Sequence, residues 1–97
     1  MNSINKISII LPAKNEAKNI APVIQKIKQY CAQLNLTEII VINDGSSDNT
    51  QALAEQAGAK VISHPYSQGN GASIKTGTRN ATGNILVFMD ADGQHAP

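Results

Sequence analysis

At 97 residues the chain has room for one modest core and no second domain, since a chain of this size buries roughly 60 to 70% of its unfolded surface. A formal net charge of +1, with 15% charged and 41% hydrophobic residues, fits a soluble globular protein and supplies neither the basic stripe that nucleic acid demands nor an acidic solvating tail. Aromatic residues at 3% leave no stacking platform for single strands, and a lone cysteine, Cys31, closes no internal disulfide, so a reducing cytoplasm is the expected compartment.

The polar start MNSINK and an apolar run confined to residues 7–11 give neither a signal-peptide core nor a spanning helix. Residues 7–11 (ISIIL) are mostly β-branched and end at Pro12, the pattern of a first strand buried on both faces. After a polar turn at 13–18, Ile20, Val23, Ile24, Ile27, Cys31 and Leu34 recur at spacings of three and four and predict a first helix. Proline is tolerated in the first turn, so Pro22 fixes where this helix starts, with Asn19 as its cap. Cys31 falls inside the stripe and reads as a small buried hydrophobe.

Residues 38–43 (EIIVIN) predict a second strand that runs into Asp44-Gly45-Ser46-Ser47-Asp48. Ser47 or Asp48 can cap a short second helix, in which Thr50, Leu53, Ala54 and Ala57 share a face and Gly58 supplies a left-handed stop. Residues 60–63 predict a weak third strand, 64–71 a mobile loop with His64 solvated, and 72–81 a third helix whose one large apolar residue is Ile74. Residues 85–89 (ILVFM) predict a buried fourth strand that runs into Asp90 and Asp92. This alternation predicts an α/β fold with a doubly wound, mainly parallel sheet of about four strands and three helices, in one domain. Ligands of such sheets bind beyond the carboxyl ends of the strands, where 12–16, 44–48, 69–71 and 90–94 all gather.

The residue types at that edge suggest chemistry. Asp90 and Asp92 flank one small residue after an apolar strand, and a bend at Gly93 lets both reach one divalent cation, with the Gln94 amide oxygen as a third ligand. Aspartates one apart are common by chance, so the weight rests on their position in the fold. Magnesium or manganese so held bridges a diphosphate and stabilises a departing phosphate oxygen. Asp44 has two compatible readings, as part of a turn and as an acceptor aimed into the cleft for a nucleotide base or ribose. Glu16 is a ribose ligand if the first strand lies centrally, and otherwise an exposed carboxylate before a helix. His95 lies near enough to the aspartates to support them. Gly69-Asn70-Gly71 lacks the third glycine of a dinucleotide fingerprint and follows the wrong strand, so a nicotinamide site is excluded.

Together, Pro12-Ala13-Lys14-Asn15-Glu16, Asn43-Asp44-Gly45-Ser46-Ser47-Asp48, Asn70-Gly71-Ala72 with Gly77, and Asp90-Ala91-Asp92-Gly93-Gln94-His95 resemble the successive motifs of family-two glycosyltransferases of GT-A fold. Within that family the chain is similar to polyprenyl and dolichyl phosphate mannose and glucose synthases. The resemblance implies that Pro12, Ala13, Glu16 and Asp44 embrace the nucleoside of a GDP- or UDP-linked sugar and that Asp90 also contacts the nucleotide. It further implies that Asp90 and Asp92 are the metal-binding D-x-D pair, with Gln94 as a possible third ligand for Mg2+ or Mn2+. Transfer proceeds with inversion in such enzymes, here to a polyprenyl phosphate or another acceptor. The acceptor site and general base are expected after residue 97, so no catalytic residue is assigned within the chain and little turnover is expected of it alone. A full-length form is expected to be cytoplasmic or membrane-peripheral.

Two other readings compete. A half-domain that binds nucleotide without catalysis, or that self-associates, would leave the fourth strand as an open edge that favours a homo-oligomer. A haloacid-dehalogenase-like phosphatase shares Asp90-Ala91-Asp92-Gly93 after a strand. That motif opens its domain and is followed by threonine or valine, whereas here Gln94 follows and the motif comes last.

Overall fold

The computed structural model describes residues 6–32 and 36–91. Strands β1 (Ile7–Ala13), β2 (Leu36–Asp44), β3 (Lys60–His64) and β4 (Ile85–Phe88) alternate with helices α1 (Ile20–Tyr30), α2 (Thr50–Gln56) and α3 (Asn70–Asn80). All pairings are parallel and the sheet order is β3-β2-β1-β4. The expected doubly wound α/β sheet is therefore borne out.

The two central strands carry the β-branched runs, which suits strands covered on both faces. Ile9, Leu11, Ile39 and Val41 pack with Ile20, Ile24 and Ile27 of α1 and Ala54 of α2, whereas Ile10, Ile40 and Ile42 form the opposite layer. Each isoleucine buried in this way contributes roughly 1.5–3 kcal/mol. Helix α3 covers the second layer and approaches β1 closely at Gly77, where a Cβ would collide with Ile10 Cγ2. Pro12 is tolerated inside β1 because of where its nitrogen points. Ile10 O accepts Met89 N, so residue 12 faces the same side, where β4 has already ended.

Local signals placed α1 and α2 well. Pro22 lies in the first turn of α1, and Asn19 is its N-cap residue, with Asn19 Nδ2 donating to Glu16 Oε1 at 3.2 Å. Leu34 lies outside the described residues. The N-cap of α2 is Asn49 rather than Ser47 or Asp48, although Asp48 Oδ1 does accept Thr50 N at 3.0 Å. Gly58 takes the expected left-handed conformation, with φ +98°, after the end of α2.

Three expectations need correction. His64 is the last residue of β3 and not a solvated loop residue, because the parallel register extends to Asp44↔His64 and seats its side chain at 9% exposure. Asn70 and Gly71 belong to α3 and not to a mobile loop, since the segment before them is tied to β2. Strand β4 is only half buried: it lies at the sheet edge, where Leu86 and Val87 pack against the core while Ile85 is 39% and Phe88 46% exposed.

Candidate functional site

The two loops that follow β1 and β2 are stitched to each other. Asn15 adopts a left-handed φ of 54°, its amide donates to Ser46 Oγ at 2.9 Å, and its Oδ1 accepts Ser47 N at 2.8 Å. Asparagine tolerates this backbone region better than most residues. Glu16 N donates to the buried Thr50 Oγ1 at 2.9 Å, and Ala17 N to Asp48 Oδ2 at 3.2 Å. The Thr50 hydroxyl, helped by the Thr50 and Ala17 amides, holds the Asp48 carboxyl below its ordinary value. These bonds fix the lip of the sheet before any ligand is considered.

Asp44 anchors the third loop. Its Oδ1 accepts His64 Nδ1 and Gln68 N, both at 2.8 Å, and its Oδ2 accepts Gly69 N at 2.9 Å and Ser67 Oγ at 3.1 Å. Burial to 6% exposure opposes the charged form, but the donors from Gln68, His64, Gly69 and Ser67 outweigh it and bring the pKa down to about 2. The imidazole is held from its far side as well, with Nε2 2.8 Å from Thr76 Oγ1 in α3. Gly45 makes room for this loop: with φ +74°, a Cβ there would meet Ser67 N at 2.5 Å.

Two adjoining clefts open along this edge. The larger, about 290 Å³, is lined by Pro12, Ala13, Lys14 and Asp44 on one side and by Ser67, Gly69, Asn70 and Ser73 on the other. The smaller, about 110 Å³, lies between β1, α3 and the end of β4, with Asp90 at its rim beside Phe88 and Met89. Pro12 and Asn70 border both. They meet where the strand order reverses between β1 and β4, which is where ligands of doubly wound sheets are found.

The structure thus brings Pro12, Ala13 and Asp44 to one cleft and Asp90 to its neighbour. Glu16 lies next to this lip but borders neither cleft, and its Oε1 accepts Asn19 Nδ2. Asp92, Gln94 and His95 lie outside the described residues. Sequence reasoning missed Ser67, Ser73 and the His64–Thr76 link. The signal for His64 was available, since both it and Asp44 end strands that an α/β order makes parallel neighbours.

A family model for glycosyl transferase family 2 matches residues 8–97. The chain belongs to that family. It is 35% identical over 96 residues to the dolichol-phosphate mannosyltransferase of Pyrococcus furiosus, a match covering 95% of the chain and 27% of the relative. It is 31% identical to the undecaprenyl-phosphate 4-deoxy-4-formamido-L-arabinose transferase of Proteus mirabilis, covering 97% of the chain and 31% of that protein. Among solved structures it superposes on the glucosyl-3-phosphoglycerate synthase of Mycobacterium tuberculosis in complex with Mn2+, uridine diphosphate and glucosyl-3-phosphoglycerate. That likeness has a TM-score of 0.80 and 33% identity, over 94% of this chain and 36% of the other. The chain therefore spans about a third of the length of these proteins, and its α/β fold matches the corresponding part of the GT-A structure. Among the described residues no helix is long and apolar enough to cross a membrane.

Proposed function

We propose that this family-two chain binds the nucleoside diphosphate of a GDP- or UDP-linked sugar across the two clefts, as the sugar-donor part of a glycosyltransferase. One observation carries the reading. An ionised Asp44 stands in the wall of a cleft that leads, past Pro12 and Asn70, to Asp90 at the strand-order switch point. At about 290 Å³ the larger cleft is close to the lower end of ligand sites, roughly 300 Å³.

Within it, Pro12 and Ala13 form the apolar wall for the base, and Asp44 accepts an N–H of the base. Glu16 reaches the ribose, a role supported by the family resemblance. Lys14 and the first-turn amides of α3 favour the negative charge of the diphosphate. Asp90 contacts the nucleotide from the smaller cleft.

The donor set suits a hard cation. Asp90 offers one exposed carboxylate at the cleft rim. By the resemblance to the family's D-x-D motif, Asp92 and Gln94 would complete the set for Mg2+ or Mn2+. When bound, such an ion neutralises charge on the departing nucleoside diphosphate. The chain's own contribution is to seat and orient the donor. Transfer with inversion to a polyprenyl phosphate, the acceptor class named in two relatives, draws its acceptor site and base from the length that this chain does not span. Calorimetry with GDP and UDP sugars, with and without manganese, tests the reading: metal-dependent binding supports it and no binding refutes it.

Among the described residues no strand pairs with the outer side of β4, which favours a second property, self-association through Ile85, Phe88 and Met89.

A further inference from the structure

A carboxylate offers about four lone-pair positions, and Asp44 uses four: two donors reach each oxygen. A base N–H that bonds to Asp44 must therefore take the place of one of them. Anchoring decides which one yields. His64 is fixed by the strand register and by Thr76 behind it. Gln68 and Gly69 donate from the main chain, and Gly69 O in turn accepts Ser73 N and Ser73 Oγ, both at 3.1 Å, at the start of α3. Ser67 shares its exposed place beside the larger cleft with Gly69 but differs in two respects: its donor is a side-chain hydroxyl that rotates, and its contact of 3.1 Å is the longest of the four.

We infer that Ser67 is a competitor built into the site, its hydroxyl and the ring N–H of the base claiming the same acceptor, Asp44 Oδ2. The inference rests on the proposed role of Asp44 as the ligand of the base and adds a residue that tunes affinity downward. Uracil N3–H and guanine N1–H are the ring donors that enter this exchange. Removal of the hydroxyl spares the base one displaced hydrogen bond, and because water takes the vacated position on the carboxylate the gain is the modest net value of an ordinary hydrogen bond, roughly three- to tenfold tighter binding.

The test is calorimetry of the unsubstituted chain and of Ser67→Ala with uridine diphosphate and N3-methyluridine diphosphate. Guanosine diphosphate and its N1-methyl counterpart form a parallel pair. The expected result is a three- to tenfold gain for Ser67→Ala with the parent nucleotide and none with the methylated one, which has no N–H to place. Unchanged or weaker binding of the parent nucleotide by Ser67→Ala overturns the inference, as does an equal gain for both nucleotides. Equal binding of parent and methylated nucleotides by the unsubstituted chain overturns the role of Asp44 itself, a different failure from that of Ser67. Circular dichroism of Ser67→Ala, an exposed loop position, verifies that the comparison is between folded proteins.

Discussion

Asp44 and His64 are register partners at the ends of adjacent parallel strands, and the imidazole Nδ1 donates to the carboxylate at 2.8 Å. That pair turns two strand ends into one wall. It positions the Ser67–Gly69 backbone, sets where α3 begins, and so determines the shape of the larger cleft. His64→Ala removes both this bond and the link to Thr76, and leaves a buried carboxylate short of a donor. The expected cost is about 1–3 kcal/mol in a urea titration. Hydrogen exchange of the Gln68 and Gly69 amides should accelerate with it.

Acid should loosen the same loop. The Asp44 pKa falls from 3.8 in the unfolded chain to about 2 in the folded one, so its contribution is complete above the unfolded value and is lost as pH falls through the folded value. The contribution is on the order of 2 kcal/mol, fading between about pH 4 and pH 2. Glu38 acts in the same direction at the opposite rim of the sheet. Burial there is outweighed by donors from the Thr82 amide, Ser8 and the Thr82 hydroxyl, with Lys60 nearby, and the carboxyl is held below its usual range. Stability measured against pH should show a shallower acid slope in Asp44→Asn than in the unsubstituted chain.

Packing of α3 on β1 gives a prediction independent of ligand. Gly77→Ala places a methyl against the buried Ile10 side chain, and overpacking of this kind costs about 1–3 kcal/mol. The helix would have to lift off the central strand, so a lowered thermal midpoint should accompany weaker nucleotide binding through displaced Asn70 and Ser73.

At the open edge, Phe88→Lys should leave the fold intact, because Phe88 is 46% exposed, while it lowers self-association. Sedimentation over a range of concentrations reads this directly. A monomer mass for the unsubstituted chain at high concentration would remove the proposal.

The order of elements was legible because each core layer announces itself locally. Ile9 to Leu11 is an apolar run and Ile39 to Ile42 a β-branched one, and the stripe from Ile20 to Ile27 has one helical period. The exposure of Phe88 was not legible from residues 85–89 by themselves, since apolar composition says that a strand is suited to burial and only sheet order says which strand lies at the edge. The seat of His64 escaped local reading for a similar reason. Pro65 makes the residue before it look like a loop, while the register that places it on Asp44 links positions 20 residues apart. The Ser8–Glu38–Thr82 cluster is longer in range still, with Ser8 Oγ at 2.8 Å and the Thr82 amide at 2.6 Å from the same Glu38 oxygen. For the site, residue type was informative and partnership was not. Asp44 stood out as a carboxylate leaving a strand, but nothing nearby in sequence shows that four donors already surround it.

Asp44 and Asp90 are proposed to bracket one nucleoside diphosphate site. Calorimetric titration of the chain with uridine and guanosine diphosphate sugars in manganese, repeated with Asp44→Asn and with Asp90→Asn, tests it most directly. Saturable binding to the unsubstituted chain is expected to fall at least tenfold in each variant, a loss of about 1.4 kcal/mol or more. Binding that survives both substitutions at full strength, or no binding by the unsubstituted chain, would contradict it.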